Sequence, residues 1–196
     1  MSVEVVAEAS SNHGGSMGLA LEFIDAFAPY VDTVKFQMTR VAHLRLTDPQ
    51  YEWFKKAELT LDQFAQLREA CHKKGVNFLL TVYNPFDVWE VVELGCNRVK
   101  IGSGEAMEPA LADTVLQARL SPIVSCGLCR ASDTPYAQRL ETMPTPRYLG
   151  CVTRYPAPSG VAAAAMLSEQ PFYGWSDHAV GTGELEAAAC MGAQIL

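Results

Sequence analysis

Short apolar runs alternate with amphipathic stretches along the whole chain, and this alternation limits the fold more than any other feature. The apolar runs occupy residues 3–9, 31–37, 76–83, 97–104, 121–127, 147–156 and 172–178, and AQIL at 193–196 begins an eighth. Between them apolar residues recur at helical spacing: Leu19, Ala20, Phe23, Ile24 and Phe27 after the first run, then Phe64, Leu67 and Cys71 after the second. Thr60 and Gln63 form a capping-box pattern, and Gly75 after Lys73 and Lys74 reads as a helix stop. Further helices are predicted over 86–94 and 108–119, from the end of the fifth run to about Leu140, and over 160–168 and 183–192. Eight strands alternating with helices predict an α/β fold, a (β/α)8 TIM barrel that is incomplete at its C-terminus because the chain ends in strand eight. An open doubly wound sheet is the second choice. With 196 residues the expectation is one domain over 1–196. The connection 38–59 is the longest without a clear pattern, and it follows strand two on the face where barrel sites lie.

Composition narrows the function. A formal net charge of −7 with no basic stripe argues against nucleic acid as a partner. No apolar run approaches the roughly 18 residues of a membrane span. The opening MSVEVVAEAS lacks a basic segment and a long apolar core, so no signal peptide is expected. The six cysteines are then read as reduced thiols, and a cytoplasmic location is expected. Cys126 and Cys129 form a CxxC, but no second pair exists and the first cysteine ends a strand, so a core role is preferred over redox or zinc chemistry.

Strands of a parallel barrel are buried on both faces and should be almost wholly apolar. Here their C-terminal ends carry polar residues: Glu8; Lys35 and Gln37; Thr81; Lys100, Ser103 and Glu105; Ser125; Thr153 and Tyr155; Ser176, Asp177 and His178. In a barrel these ends converge on one mouth, and burying two lysines with several carboxylates costs several kcal/mol unless they pair or meet a ligand. Lysines with Ser and Thr hydroxyls suit a phosphate held without a P-loop. Blander roles stay open: Lys35 could only pair with Glu8, KIGSGE could be structural, and His178 could be a core histidine. His43 and His72 are expected at the surface.

The stretches AEASSNHGG, VKFQ, FLLT, VKIGSGE, IVSCG, YPAP and GWSDH, in this order and spacing, resemble the sialic acid synthase family, which makes N-acetylneuraminic, legionaminic and pseudaminic acids. VKIGSGE and GWSDH carry most of the resemblance. It implies a condensation of phosphoenolpyruvate with an N-acylated hexosamine of the N-acetylmannosamine type. It also implies a divalent metal, manganese first, with magnesium or cobalt as alternatives. By position, Lys35, Thr81, Lys100, Ser103, Ser125 and Ser176 would surround phosphoenolpyruvate, and Glu105 belongs to the same stretch. Glu8 would handle the attacking water or a sugar hydroxyl, Gln37 and Tyr155 would face the sugar, and His178 would bind metal.

The chain departs from the family pattern at several points. The family carries a second metal-binding histidine after strand eight and a C-terminal antifreeze-like domain, and this chain stops at AQIL before either. Thr153 stands for the usual Asn, Cys126 for Thr, and TVYN for TPF-type residues. The expectation is therefore a fragment of a longer synthase; the alternative is a natural short form, closed by oligomerisation as a homodimer. Two other functions remain: a non-catalytic barrel that retains an anion site, and a related 3-deoxy sugar acid synthase. The last would want more arginines at the mouth than Arg154.

Overall fold

The computed structural model describes residues 3–139, 145–166 and 172–196. Seven parallel strands form one sheet in sequence order: β1 (Val6–Ser10), β2 (Thr33–Gln37), β3 (Asn77–Val82), β4 (Arg98–Ile101), β5 (Ser121–Ser125), β6 (Arg147–Cys151) and β7 (Gly174–Ser176). Sequential order with parallel pairing throughout needs a crossover after every strand, and helices supply most of them. They are α1 (Met17–Phe27), α2 (Tyr51–Ala57), α3 (Leu61–Lys73), α4 (Pro85–Glu93), α5 (Pro109–Gln117), α6 (Val161–Met166) and α7 (Gly183–Cys190).

The expected barrel is realised as this curled seven-stranded sheet. Its expected eighth strand is not a strand among the described residues. Ile195 instead makes isolated parallel bridges to both Glu4 and Gly174. Trp175 N–H donates to the Ile195 carbonyl at 2.9 Å, and Leu196 N–H to the Glu4 carbonyl at 2.9 Å. A Cβ at Gly174 would lie 2.1 Å from the Ile195 oxygen, so only glycine permits this approach.

Local sequence explains the helix boundaries. Ser16 caps α1 by accepting from Leu19 N–H, and the Thr60–Gln63 capping box is formed at α3. Asn84 caps α4, whose first residue is Pro85. Gly75 ends the α3 region at φ 74°.

Three expectations need correction. The connection 38–59 is not patternless: it holds a 3-10 turn (Val41–His43) and α2. Arg40 pins it, donating to the Leu59 carbonyl at 2.5 Å, pairing with Glu90 and Glu58, and lying over the Phe64 ring. The helix predicted after strand five is replaced by 3-10 turns over Ala131–Asp133 and Ala137–Arg139, and the end of that prediction, at residue 140, lies outside the described residues. β4, β6 and β7 are shorter than predicted, so Gly102 to Glu105 form a turn beyond β4. The last two residues of the 160–168 helix also lie outside the described residues.

Strand alternation divides the interior into layers. Val34 and Phe36 of β2 point outward into the core beneath the helices, with Phe64, Leu67, Leu80, Val99 and Val124. Leu79, Ile123, Leu149 and Ile195 form a separate apolar layer inside the curl of the sheet. At the N-terminal ends of the strands Glu4 pairs with Arg98 at 2.8 Å and accepts from the Thr33 hydroxyl at 2.7 Å. The C-terminal ends hold the polar residues.

Candidate active site

A cavity of about 870 Å³ opens at the C-terminal ends of the strands. Twelve of the thirteen polar strand-end residues singled out in the sequence line it: Glu8, Lys35, Gln37, Thr81, Lys100, Ser103, Ser125, Thr153, Tyr155, Ser176, Asp177 and His178. Glu105 does not. Its carboxylate folds back over Gly102, where a Cβ would stand 2.7 Å from Oε2. Burial raises the Glu105 carboxyl above its ordinary range, and the Lys100 charge acts in the opposite direction.

Parallel register brings the two charged ends together. Glu8 of β1 is opposite Lys35 of β2, and Lys35 Nζ lies 2.6 Å from Glu8 Oε2. A bulge between Glu8 and Ser10 then breaks the ladder. Ser10, at φ 54°, turns its N–H back to Glu8 Oε1 at 2.9 Å. The carboxylate is thus held from both sides.

Lys100 lies deeper, 5% exposed. Its ammonium donates to the Ile101 carbonyl and the Ser125 hydroxyl, each at 2.7 Å. Burial, then repulsion from Lys35, lowers its pKa from 10.5 to about 7. The Thr81 hydroxyl is buried and meets no partner among the described residues. A buried hydroxyl without a partner costs about 1–3 kcal/mol. Two cationic side chains beside an unused hydroxyl form a site suited to an anion. The Ser103 hydroxyl accepts from Gly127 N–H at 3.0 Å.

His178 is held on both ring nitrogens. Nδ1 donates to the Val152 carbonyl at 2.6 Å, which leaves the Nε2 lone pair facing the Tyr155 hydroxyl at 2.7 Å. The two rings stack at 4.0 Å. Nδ1 on a carbonyl is the usual second contact of a metal-binding histidine, but here Nε2 is occupied by the Tyr155 hydroxyl. No group of three His, Cys, Asp or Glu side chains that could hold a metal occurs among the described residues. The donor set described here therefore does not complete a metal site.

The cysteines are free thiols, as expected. Burial pushes the Cys126 thiol up to about 12, which disfavours its thiolate. His43 and His72 are exposed. Sequence reasoning missed Tyr83 and Cys151 as lining residues. Both were within reach, since each stands two positions after an inward residue, Thr81 and Leu149 respectively.

A family model described as the NeuB family matches residues 24–196. The chain belongs to the NeuB family. It is 27% identical to an N,N'-diacetyllegionaminic acid synthase of Legionella pneumophila, over 100% of this chain and 63% of that protein. It is 28% identical to a protein of the same description from Campylobacter jejuni, over 98% of this chain and 65% of that protein. A solved N-acetylneuraminic acid synthetase of Leptospira borgpetersenii, in complex with citrate, superposes with a TM-score of 0.89 at 28% identity, covering 100% of this chain and 72% of that one. The chain thus spans about three fifths of the length of these curated relatives. No helix of the described residues is long and apolar enough to cross a membrane.

Proposed function

We propose that this chain is the barrel part of a synthase that condenses phosphoenolpyruvate with an N-acylated amino sugar to give a nonulosonic acid and phosphate. The observation that carries the proposal is the pair of lysines, Lys100 buried and Lys35 half-buried, with a Thr81 hydroxyl that has no partner among the described residues, in one cavity. Family membership and the names of the relatives support it. We further propose that residues 194–196, bridged at Ile195 to Glu4 and Gly174, take the eighth place of a (β/α)8 barrel.

In this reading C3 of phosphoenolpyruvate attacks the sugar aldehyde and forms the C–C bond. Water adds at C2, the C2–O bond breaks, and phosphate leaves, so that C2 ends as the keto carbon. Lys35 and Lys100 neutralise the phosphate and carboxylate in a site where low dielectric strengthens each contact. Thr81, Ser103, Ser125 and Ser176 orient the anion. Before it binds, the Glu8 pair keeps Lys35 satisfied. The arriving anion takes Lys35, and Glu8 is freed to accept a proton from water or a sugar hydroxyl. Gln37 and Tyr155 face the sugar.

The test is phosphate release from phosphoenolpyruvate by the 196-residue chain, with and without N-acetylmannosamine and manganese. Release that requires the sugar supports the proposal. A folded chain that binds phosphoenolpyruvate without turnover favours instead a barrel that retains only the anion site. A chain that does not bind phosphoenolpyruvate refutes both.

A further inference from the structure

We propose that Asn12 reads the N-acyl group of the acceptor sugar and so sets acceptor specificity; this inference rests on the reaction put forward above. Asn12 lies on the turn that follows β1, and it lines the cavity. On either side of it Ser11 and His13 are buried, 5% and 2% exposed, whereas Asn12 itself is exposed. Backbone contacts fix the turn. Asn12 N–H donates to the Ala9 carbonyl at 3.3 Å, Gly14 N–H to the Ser11 carbonyl at 3.0 Å, and Gly15 N–H to His13 Nδ1 at 3.1 Å. α2 packs against its far end: a Cβ at Gly14 would meet the Trp53 ring at 3.5 Å, and one at Gly15 would lie 2.1 Å from the Lys56 carbonyl oxygen. This pinned turn carries a carboxamide that has no hydrogen-bond partner among the described residues. A polar group held in place before its ligand arrives loses little freedom on binding.

Parallel register gives Asn12 a companion. Ser10 of β1 is opposite Phe36, so the next residue of β2, Gln37, reaches the rim where the Asn12 turn begins. Gln37 also lines the cavity, and its carboxamide is likewise without a partner among the described residues. A carboxamide offers both N–H donors and a carbonyl acceptor. An acylamino group is a trans amide, so its N–H and C=O point in opposite directions. One carboxamide cannot serve both ends. Two on neighbouring strand ends can, Asn12 at one end and Gln37 at the other. A sugar without the acyl group leaves these side chains unpaired and is rejected for that reason. Depth assigns the anion to a different part of the cavity. Lys100, Thr81 and Ser125 are buried, at 5%, 5% and 3% exposure. Lys100 makes no ion pair among the described residues, whereas Lys35 starts paired with Glu8. Lys100 and Ser125 belong to β4 and β5, which β2 and β3 separate from β1. The anion is anchored on that buried floor, and the neutral sugar meets the exposed rim at β1 and β2.

The test is calorimetric titration of N-acetylmannosamine, mannose and phosphoenolpyruvate into the wild-type chain and Asn12→Ala. Asn12 is exposed and has no positive φ, so alanine fits the turn, and a thermal melt checks the fold. Affinity for N-acetylmannosamine is expected to fall about tenfold, the worth of one such hydrogen bond. Mannose carries a hydroxyl in place of the acylamino group; it is expected to bind more weakly than N-acetylmannosamine to the wild type, and equally to both proteins. Phosphoenolpyruvate affinity is expected to stay unchanged. Equal N-acetylmannosamine affinity in the two proteins overturns the inference. So does a parallel loss for mannose, a loss for phosphoenolpyruvate, or a wild-type chain that binds N-acetylmannosamine no better than mannose. A chain that fails to bind phosphoenolpyruvate counts against the proposed function itself, whereas phosphoenolpyruvate binding with N-acetylmannosamine binding indifferent to Asn12 sinks this inference alone.

Discussion

Replacing Lys100 with methionine removes a buried charge and keeps most of the side-chain volume. The ammonium is 5% exposed, and burial with the Lys35 charge lowers its pKa from 10.5 to about 7. At about 1.4 kcal/mol per pH unit, bringing this lysine into the fold at pH 7 costs about 4 kcal/mol. Methionine avoids that cost but leaves Ser125 Oγ and the Ile101 carbonyl without their donor, at about 1 kcal/mol each. The variant is expected to be about 2 kcal/mol more stable at pH 7, with a melting temperature raised by roughly 4–8 °C. The pH dependence gives a sharper test. Between the folded value near 7 and the unfolded 10.5 the unfolded chain binds the extra proton, so wild-type stability gains from rising pH in this window. The variant lacks that gain, and its advantage should shrink to near zero by pH 9. Urea unfolding of both proteins at pH 7 and pH 9 measures this. A variant less stable at pH 7, or an advantage that does not change with pH, would refute the argument that Lys100 is held at a cost to the fold.

The same lysine gives phosphoenolpyruvate binding a pH dependence. Above pH about 7 Lys100 must take up a proton to meet the anion, so the dissociation constant should rise up to about tenfold per pH unit; a flat titration profile from pH 7 to 9 refutes this. Glu184 accepts the N–H groups of Gly160, Val161 and Ala162 and so joins α7 to the start of α6; Glu184→Gln should cost about 2 kcal/mol in urea unfolding. These bonds hold the Glu184 carboxyl below its ordinary 4.5, so its contribution is full above that pH and lost as pH falls through the folded value; the variant's deficit should vanish in acid. Glu4→Gln leaves Arg98 without its ion pair inside the N-terminal end of the sheet and should cost about 3 kcal/mol, with no change in phosphoenolpyruvate affinity because the cavity opens at the opposite end.

Much of the site could be read from local pattern alone. The two-residue period of a strand assigns Lys35 to one face and Val34 and Phe36 to the other, whatever the strand pairs with. The capping box at Thr60 and the stop at Gly75 likewise depend on neighbours within a few residues. Where local pattern was weak, prediction failed. YEWFKKA is too short to show a helical period, so α2 went unrecognised; it is seated on the distant Gly14–Gly15 turn, where a Cβ at Gly15 would lie 2.1 Å from the Lys56 carbonyl oxygen. The segment after β5 places Pro135 among polar residues and forms 3-10 turns rather than the predicted helix.

The sequence by itself determined the alternation of strand and helix, the face each polar residue takes, and the convergence of twelve of them on one mouth. Tertiary structure alone decided who meets whom. Glu8 meets Lys35 because β1 and β2 pair in one register, and a shift of one residue would turn either away. Lys100 reaches Ser125 across two adjacent strands, Tyr155 stacks on His178 from the neighbouring strand end, and Glu105 folds over Gly102 instead of entering the cavity. Burial belongs to the same class. A lysine has its ordinary pKa in an extended chain, and it is the removal of water by seven strands and their helices that brings Lys100 to about 7.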